Sequence, residues 1–243
     1  MHLPYSPSLL LLLLAIAFLG GAAKGLAGFG GALVMAPLCA MLISPQSATA
    51  LVVFVHCATS LQGVRRWTHH VQWRRVAPFA ATAVFFTFAA GLFLRNSHPV
   101  TLRHIVALCV LAVTALHMRG WRWRHDGSWL PTMVAGVLSG ALTAIGGLGG
   151  PPAFYYLNGI AQGTALRANL LGYFVILFGG STVILIVSQA HAMSNLATAL
   201  LLVPAFACGV MLGERVARKL PALWMDRVVC VLLIASGAAA LIS

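Results

Sequence analysis

The sequence predicts an all-α polytopic membrane protein built as an inverted repeat, and three observations carry that prediction. The chain of 243 residues is 60% hydrophobic and only 7% charged, far too little charge to keep a soluble surface wet. Its apolar runs are separated by short basic loops. One glycine-rich break also recurs. Lys24-Gly-Leu-Ala-Gly-Phe-Gly-Gly-Ala-Leu-Val-Met-Ala-Pro37 is echoed 119 residues later by Thr143-Ala-Ile-Gly-Gly-Leu-Gly-Gly-Pro-Pro-Ala-Phe-Tyr-Tyr156. With no gap, Gly28, Gly30 and Gly31 fall on Gly147, Gly149 and Gly150, Leu51 falls on Leu170, and Phe54 on Tyr173. A repeated, broken membrane segment is the best sequence pointer to a transporter's binding site.

The apolar runs lie at 8–23, 31–43, 47–64, 76–94, 101–118, 129–145, 151–162, 165–188, 193–213 and 224–242. One crossing takes roughly 20 residues. The runs at 8–23 and 31–43, and those at 129–145 and 151–162, are short, and each pair flanks one glycine break. They predict two re-entrant hairpins, 8–43 and 129–162; the six other runs predict spanning helices. Residues 9–19 also resemble the apolar stretch of a signal peptide, with Gly20-Gly21-Ala22-Ala23 as a cleavage-like end. No Lys or Arg precedes them and the apolar pattern runs on past Lys24, so a retained first helix is expected.

Charge tests this layout. The net charge is +12, from 15 Lys and Arg against 3 acids. Arg65, Arg66, Arg74 and Arg75 share one loop, Arg119, Arg122 and Arg124 a second, and Arg215, Arg218 and Lys219 a third. Arg167 and Arg227 begin neighbouring helices. Only Arg95 and Arg103 fall in a loop on the other side. This asymmetry is the positive-inside pattern rather than a nucleic-acid surface. It holds only if each short pair enters and leaves on the same side. Each half is then one hairpin plus three crossings, and the odd count turns the second half upside down. The expected organisation is a first repeat at 1–119, a basic cytoplasmic connector at 120–128 and an inverted repeat at 129–243, with both termini periplasmic. Trp67, Trp73, Trp121, Trp123, Trp129 and Trp224 all lie at the expected cytoplasmic ends, as an interfacial belt should.

Two helix starts at the glycine breaks point unpaired N–H groups and partial positive charge into the protein, which suits an anion. Gly150-Pro151-Pro152 is such a start, because proline fits a first helical turn. The alternative is that the glycines merely permit close helix packing. Lys24, at the tip of the first hairpin, either holds the anion or snorkels to an interface. Thr143 is its repeat partner and a candidate hydroxyl donor to the same ligand. Arg167 is a second cation or an interface anchor. Asn158 and Asn169 are ligand contacts or interhelical bonds. His56, mid-helix, either relays protons or bonds a neighbouring helix. The substrate-binding candidates are thus Lys24, Gly28, Gly30, Gly31, Thr143, Gly147, Gly149, Gly150, Asn158, Arg167 and Asn169. Glu214 stands four residues before Arg218, the spacing of a local ion pair.

Enzyme signatures are missing. There is no H-E-x-x-H or G-x-S-x-G, and Gly136-Val-Leu-Ser-Gly140 has its serine in the wrong place for a nucleophile elbow. Three acids leave paired-carboxylate chemistry little to work with. Cys39, Cys57, Cys109, Cys208 and Cys230 all sit in apolar runs without a C-x-x-C and read as core residues. No catalytic residue, metal or cofactor is expected.

The first break with Pro45 and Ala48 resembles the TauE/SafE family of sulfite-exporter-like permeases. So do Gly149-Gly-Pro-Pro-Ala-Phe-Tyr-Tyr156 with Leu166-Arg-Ala-Asn-Leu170, and the closing Leu212-Gly-Glu-Arg-Val-Ala-Arg-Lys-Leu-Pro221. The likeness spans nearly the whole chain, although Ala32 and Pro151 stand where the family has a third glycine. It implies a bacterial inner-membrane carrier of sulfite or an organosulfonate. The expected partners are a small anionic substrate and the lipid bilayer, with a homo-oligomer left open and no nucleic acid. The expected mechanism is alternating access, one half rocking against the other. An uncoupled anion channel and a membrane assembly factor are the alternatives.

Overall fold

The structure, a computed structural model, describes residues 5–27, 30–62, 64–94, 98–119, 128–188, 192–217, 219 and 230–239. The described residues form helices and no strands. In chain order these are α1 (Pro7–Ala27), α2 (Gly31–Leu42), α3 (Pro45–Ser60), the short α4 (Val64–Trp67), α5 (Trp73–Leu94), α6 (Pro99–Met118), α7 (Trp129–Gly146), α8 (Gly150–Asn158), α9 (Gly163–Ser188), α10 (Ala192–Ala217) and α11 (Cys230–Ala239). The connector at 120–127, and Gly28, Arg95, Trp121, Trp123, Arg218, Trp224 and Arg227, lie outside the described residues.

Among the described residues, six helices are long and apolar enough to cross a membrane, and α1 and α7 are among them. The arms of the two expected hairpins are unequal. Their first arms, of 21 and 18 residues, have crossing length, and only the second arms, of 12 and 9, are short. The reason lies at the breaks. The helical pattern of α1 continues through Lys24 to Ala27 before it ends, so this arm gains several residues over its apolar run, while α7 extends its run by one residue, to Gly146. In turn α3, with 16 residues, falls below the length of a comfortable crossing. Large apolar side chains such as Leu11, Phe85, Phe93, Val187 and Leu200 are exposed on the outer faces, the surface a bilayer rather than water would cover.

The tightest helix pairs join the two halves of the sequence. The chief partner of α1 is α10, and that of α7 is α5. Glycines make the contact. A side chain on Gly21 would overlap the Phe206 carbonyl, and one on Gly209 the Phe18 carbonyl; Gly25 and Gly213 face each other one turn on. In the other pair, a side chain on Gly140 would overlap the Ala83 carbonyl. The run Gly136-Val-Leu-Ser-Gly140 is therefore a small-residue packing face. Between these pairs lie α3 and α9, whose Leu51, Val55, Tyr173 and Leu177 are fully buried. The 119-residue offset carries α1 onto α7, α2 onto α8, α3 onto α9 and α5 onto α10. It also carries the Gly21–Phe206 contact onto Gly140–Thr87.

Candidate functional site

The two glycine breaks meet. A small pocket in the middle of the bundle is lined by Lys24, Gly30, Gly31, His56 and Gly150, with Phe174 and Phe178 closing one wall. Local backbone chemistry builds it. Gly30 caps α2 at φ 100°, a left-handed conformation that glycine alone adopts without penalty. The first bond of α2 then runs from Val34 N–H to the Gly30 carbonyl at 3.1 Å, so the N–H groups of Gly31, Ala32 and Leu33 have no partner within the helix. Gly147, at φ 71°, ends α7 in the same left-handed region. Its N–H bonds the Thr143 carbonyl at 2.8 Å, and that of Leu148 the Leu142 carbonyl at 3.1 Å, a folded-back helix end.

The two helix starts are not equivalent donors. Pro151 and Pro152 occupy the first turn of α8 and have no N–H. There α8 offers its dipole and the Gly150 N–H, while α2 offers a full set of donors. The charge comes from Lys24, which is only partly exposed; its Nζ lies 5.6 Å from the centre of the Phe206 ring. His56 is buried, packed between Phe178 and Phe206 with ring centres at 5.2 and 4.9 Å. Its Nδ1 lies 2.8 Å from the Val52 carbonyl. A carbonyl only accepts, so Nδ1 carries the hydrogen and Nε2 faces the pocket, 3.0 Å from where a side chain on Gly31 would begin.

Other expected site residues stand elsewhere. Thr143 does not share the Lys24 pocket, and its hydroxyl donates to the Ser139 carbonyl at 2.7 Å. It lines a second, larger cavity of about 380 Å³ with Ser44, Thr49, Thr87, Ser181 and Asn195. Among the described residues, none that lines this cavity is charged. Gly149 forms the partition between the two spaces, held by Ser139, which bonds both the Gly149 carbonyl and the Tyr173 hydroxyl. Asn158 ends α8, half-buried and outside the pocket.

Arg167 is exposed and pairs with Glu214. Glu214 thus has a partner 47 residues away in sequence, which the i, i+4 spacing to Arg218 did not suggest. A pair this exposed contributes at most about 1 kcal/mol. Arg167→Ala is therefore expected to shift the unfolding midpoint little, read by thermal denaturation.

Asn169 is fully buried, and its Oδ1 accepts from the Gln72 N–H at 2.8 Å. It fastens the segment ahead of α5 to α9. Asn169→Leu would leave that N–H without its partner, and a loss of about 1–3 kcal/mol is expected in the same denaturation measurement.

The residues that sequence reasoning missed are the aromatic ones. Phe174, Phe178 and Phe206 enclose the Lys24 pocket, and Ser139 with Tyr173 fixes the partition. Inside apolar runs, their spacing carried no signal that set them apart from core.

A bundle of membrane-length helices whose broken segments meet around a lysine defines a multi-pass α-helical membrane protein of the transporter class. The chain belongs to the sulfite exporter TauE/SafE family, whose profile matches residues 13–240. No curated protein and no solved structure matches it.

Proposed function

We propose that the protein is a secondary transporter that moves a small anion, sulfite or an organosulfonate, across the bacterial inner membrane by alternating access. The observation that carries this reading is the convergence of Lys24 with the N-termini of α2 and α8 in one pocket. A largely enclosed ammonium, unpaired N–H groups and two helix dipoles all favour a compact oxyanion there. His56 Nε2 at the same pocket offers a site for a coupled proton. The repeat is read as inverted, with both termini periplasmic, and the exchange of helix pairs under the 119-residue offset supports this. The backbone-close pairs α1–α10 and α5–α7 each combine both halves. The units that move are accordingly these interleaved pairs rather than residues 1–119 against 129–243.

The test is sulfite flux in proteoliposomes under imposed proton and sodium gradients. Coupled transport requires that one gradient drive sulfite uphill. Flux that follows voltage alone would select an uncoupled channel. No flux, with a co-purifying subunit, would select an assembly factor.

A further inference from the structure

We propose that the hydroxyl-lined cavity is a sodium-ion site, placed to take a cation beside the anion at Lys24. The clue is where the hydroxyl hydrogens go. Four helices each bring a buried hydroxyl residue to the wall: Thr49 from α3, Thr87 from α5, Thr143 from α7 and Ser181 from α9. Each hydroxyl donates to the carbonyl four residues back in its own helix. Thr49 reaches Pro45 at 2.9 Å, Thr87 reaches Ala83 at 2.8 Å, and Thr143 and Ser181 reach Ser139 and Leu177 at 2.7 Å. Thr49 and Thr87 also lie within bonding distance of the Ile145 and Gly140 carbonyls of α7, at 3.1 and 3.2 Å. A hydroxyl has one hydrogen and two lone pairs. With the hydrogen committed, what remains is oxygen that only accepts. Turning a hydroxyl toward an oxyanion would break its bond, whereas a cation takes the oxygen as it stands.

The rest of the wall agrees. The start of α3 has few donors to give, since Pro45 has no N–H and the Ser47 N–H goes to the Ser44 hydroxyl at 3.2 Å. Gln46 and Asn195 carry amides with a donor end and an acceptor end, which favour neither sign. The last turn of α7 supplies Thr143, Ala144 and Ile145, and no N–H among the described residues bonds the Ala144 carbonyl. Helix-end carbonyls are what coordinate sodium in broken-helix transporters. At about 380 Å³ the cavity also leaves the ion part of its water. The Lys24 pocket is one residue away: Gly150 lines it, while a side chain on Gly149 would overlap the Thr143 hydroxyl. An unpaired Lys24 ammonium therefore repels the cation, and an anion beside it offsets that repulsion. Each ion should then tighten the other by the same factor. This coupling rests on the reading of Lys24 as the anion site; the sodium site does not.

The experiment measures binding of radioactive sodium to the purified full chain at constant chloride, with choline replacing sodium, and with or without sulfite as its choline salt. Wild type is expected to bind sodium saturably without sulfite and more tightly with it. Thr143→Val and Ser181→Ala each remove one oxygen whose hydroxyl bonds only within its own helix, so the fold should persist, read as an unchanged unfolding midpoint in choline buffer. Each should weaken sodium binding about tenfold or more. Thr143→Ser keeps the oxygen and should bind sodium as wild type does. Sulfite binding in sodium-free buffer should be unchanged in all three. The site is overturned if wild type shows no saturable sodium binding, or if Thr143→Val and Ser181→Ala bind sodium as wild type does. It is also overturned if Thr143→Val weakens sulfite binding without sodium, which would make the cavity an anion site. Sodium affinity that ignores bound sulfite overturns the coupling. Sulfite binding by Lys24→Gln tests the anion reading separately, because sodium binding in sulfite-free buffer does not depend on it.

Discussion

Lys24→Gln is expected to lower sulfite affinity by about 30-fold or more, because truncating one partner of a buried charge pair costs roughly 2–5 kcal/mol. The glutamine is polar and only one atom shorter than the lysine, so the fold should survive. The measurement is ligand-dependent thermal stabilisation of the purified protein, which grows with ligand concentration over its dissociation constant. Wild type should be stabilised by sulfite, and the variant should respond only at far higher concentration. Lys24→Arg should keep part of the response, since the charge remains while the planar fork cannot occupy the space of a compact ammonium. If Lys24→Gln responds to sulfite as wild type does, the anion is not held in this pocket, whatever transport assays show.

The second large effect is at the helix contacts. Gly209→Ala and Gly21→Ala would each drive a methyl group into the backbone of the facing helix, at Phe18 and Phe206. Backbone cannot swing aside as a flexible side chain does, so α1 and α10 must separate along their length. A loss of about 3 kcal/mol or more is expected for each, read as the midpoint of chemical denaturation in detergent. Gly140→Ala should behave alike, because it meets the backbone of α5 at Ala83 and Thr87. Gly179→Ala is the control. Nothing lies within 4 Å of a side chain there, and alanine in a helix interior should stabilise by roughly 0.5–1 kcal/mol. Equal effects at Gly209 and Gly179 would mean that α1 and α10 do not pack this closely.

The breaks were legible because glycine acts locally. Gly30 and Gly147 are at positive φ, a property of one residue's backbone, and their order in the chain already marks where helices stop and restart. The helical, membrane-spanning character was legible for a similar reason, since apolar run length and charge distribution are read directly from composition along the chain. Even there the ends were misjudged: Lys24 interrupts the apolar run of α1 but not its helix, because one polar side chain does not break backbone hydrogen bonding.

What followed from residue types along the chain was therefore the helical membrane class, the two breaks and the candidacy of Lys24. What only the folded bundle decided was partnership. It brought Gly31 to Gly150, moved Thr143 out of the Lys24 pocket, gave Glu214 to Arg167 and set Phe206 over the lysine. These contacts join residues from 47 to 182 positions apart. Spacing along a helix reports only neighbours three or four residues away, so no periodicity records them. They follow instead from how closely glycine faces let helices approach, which is fixed only when both faces are present.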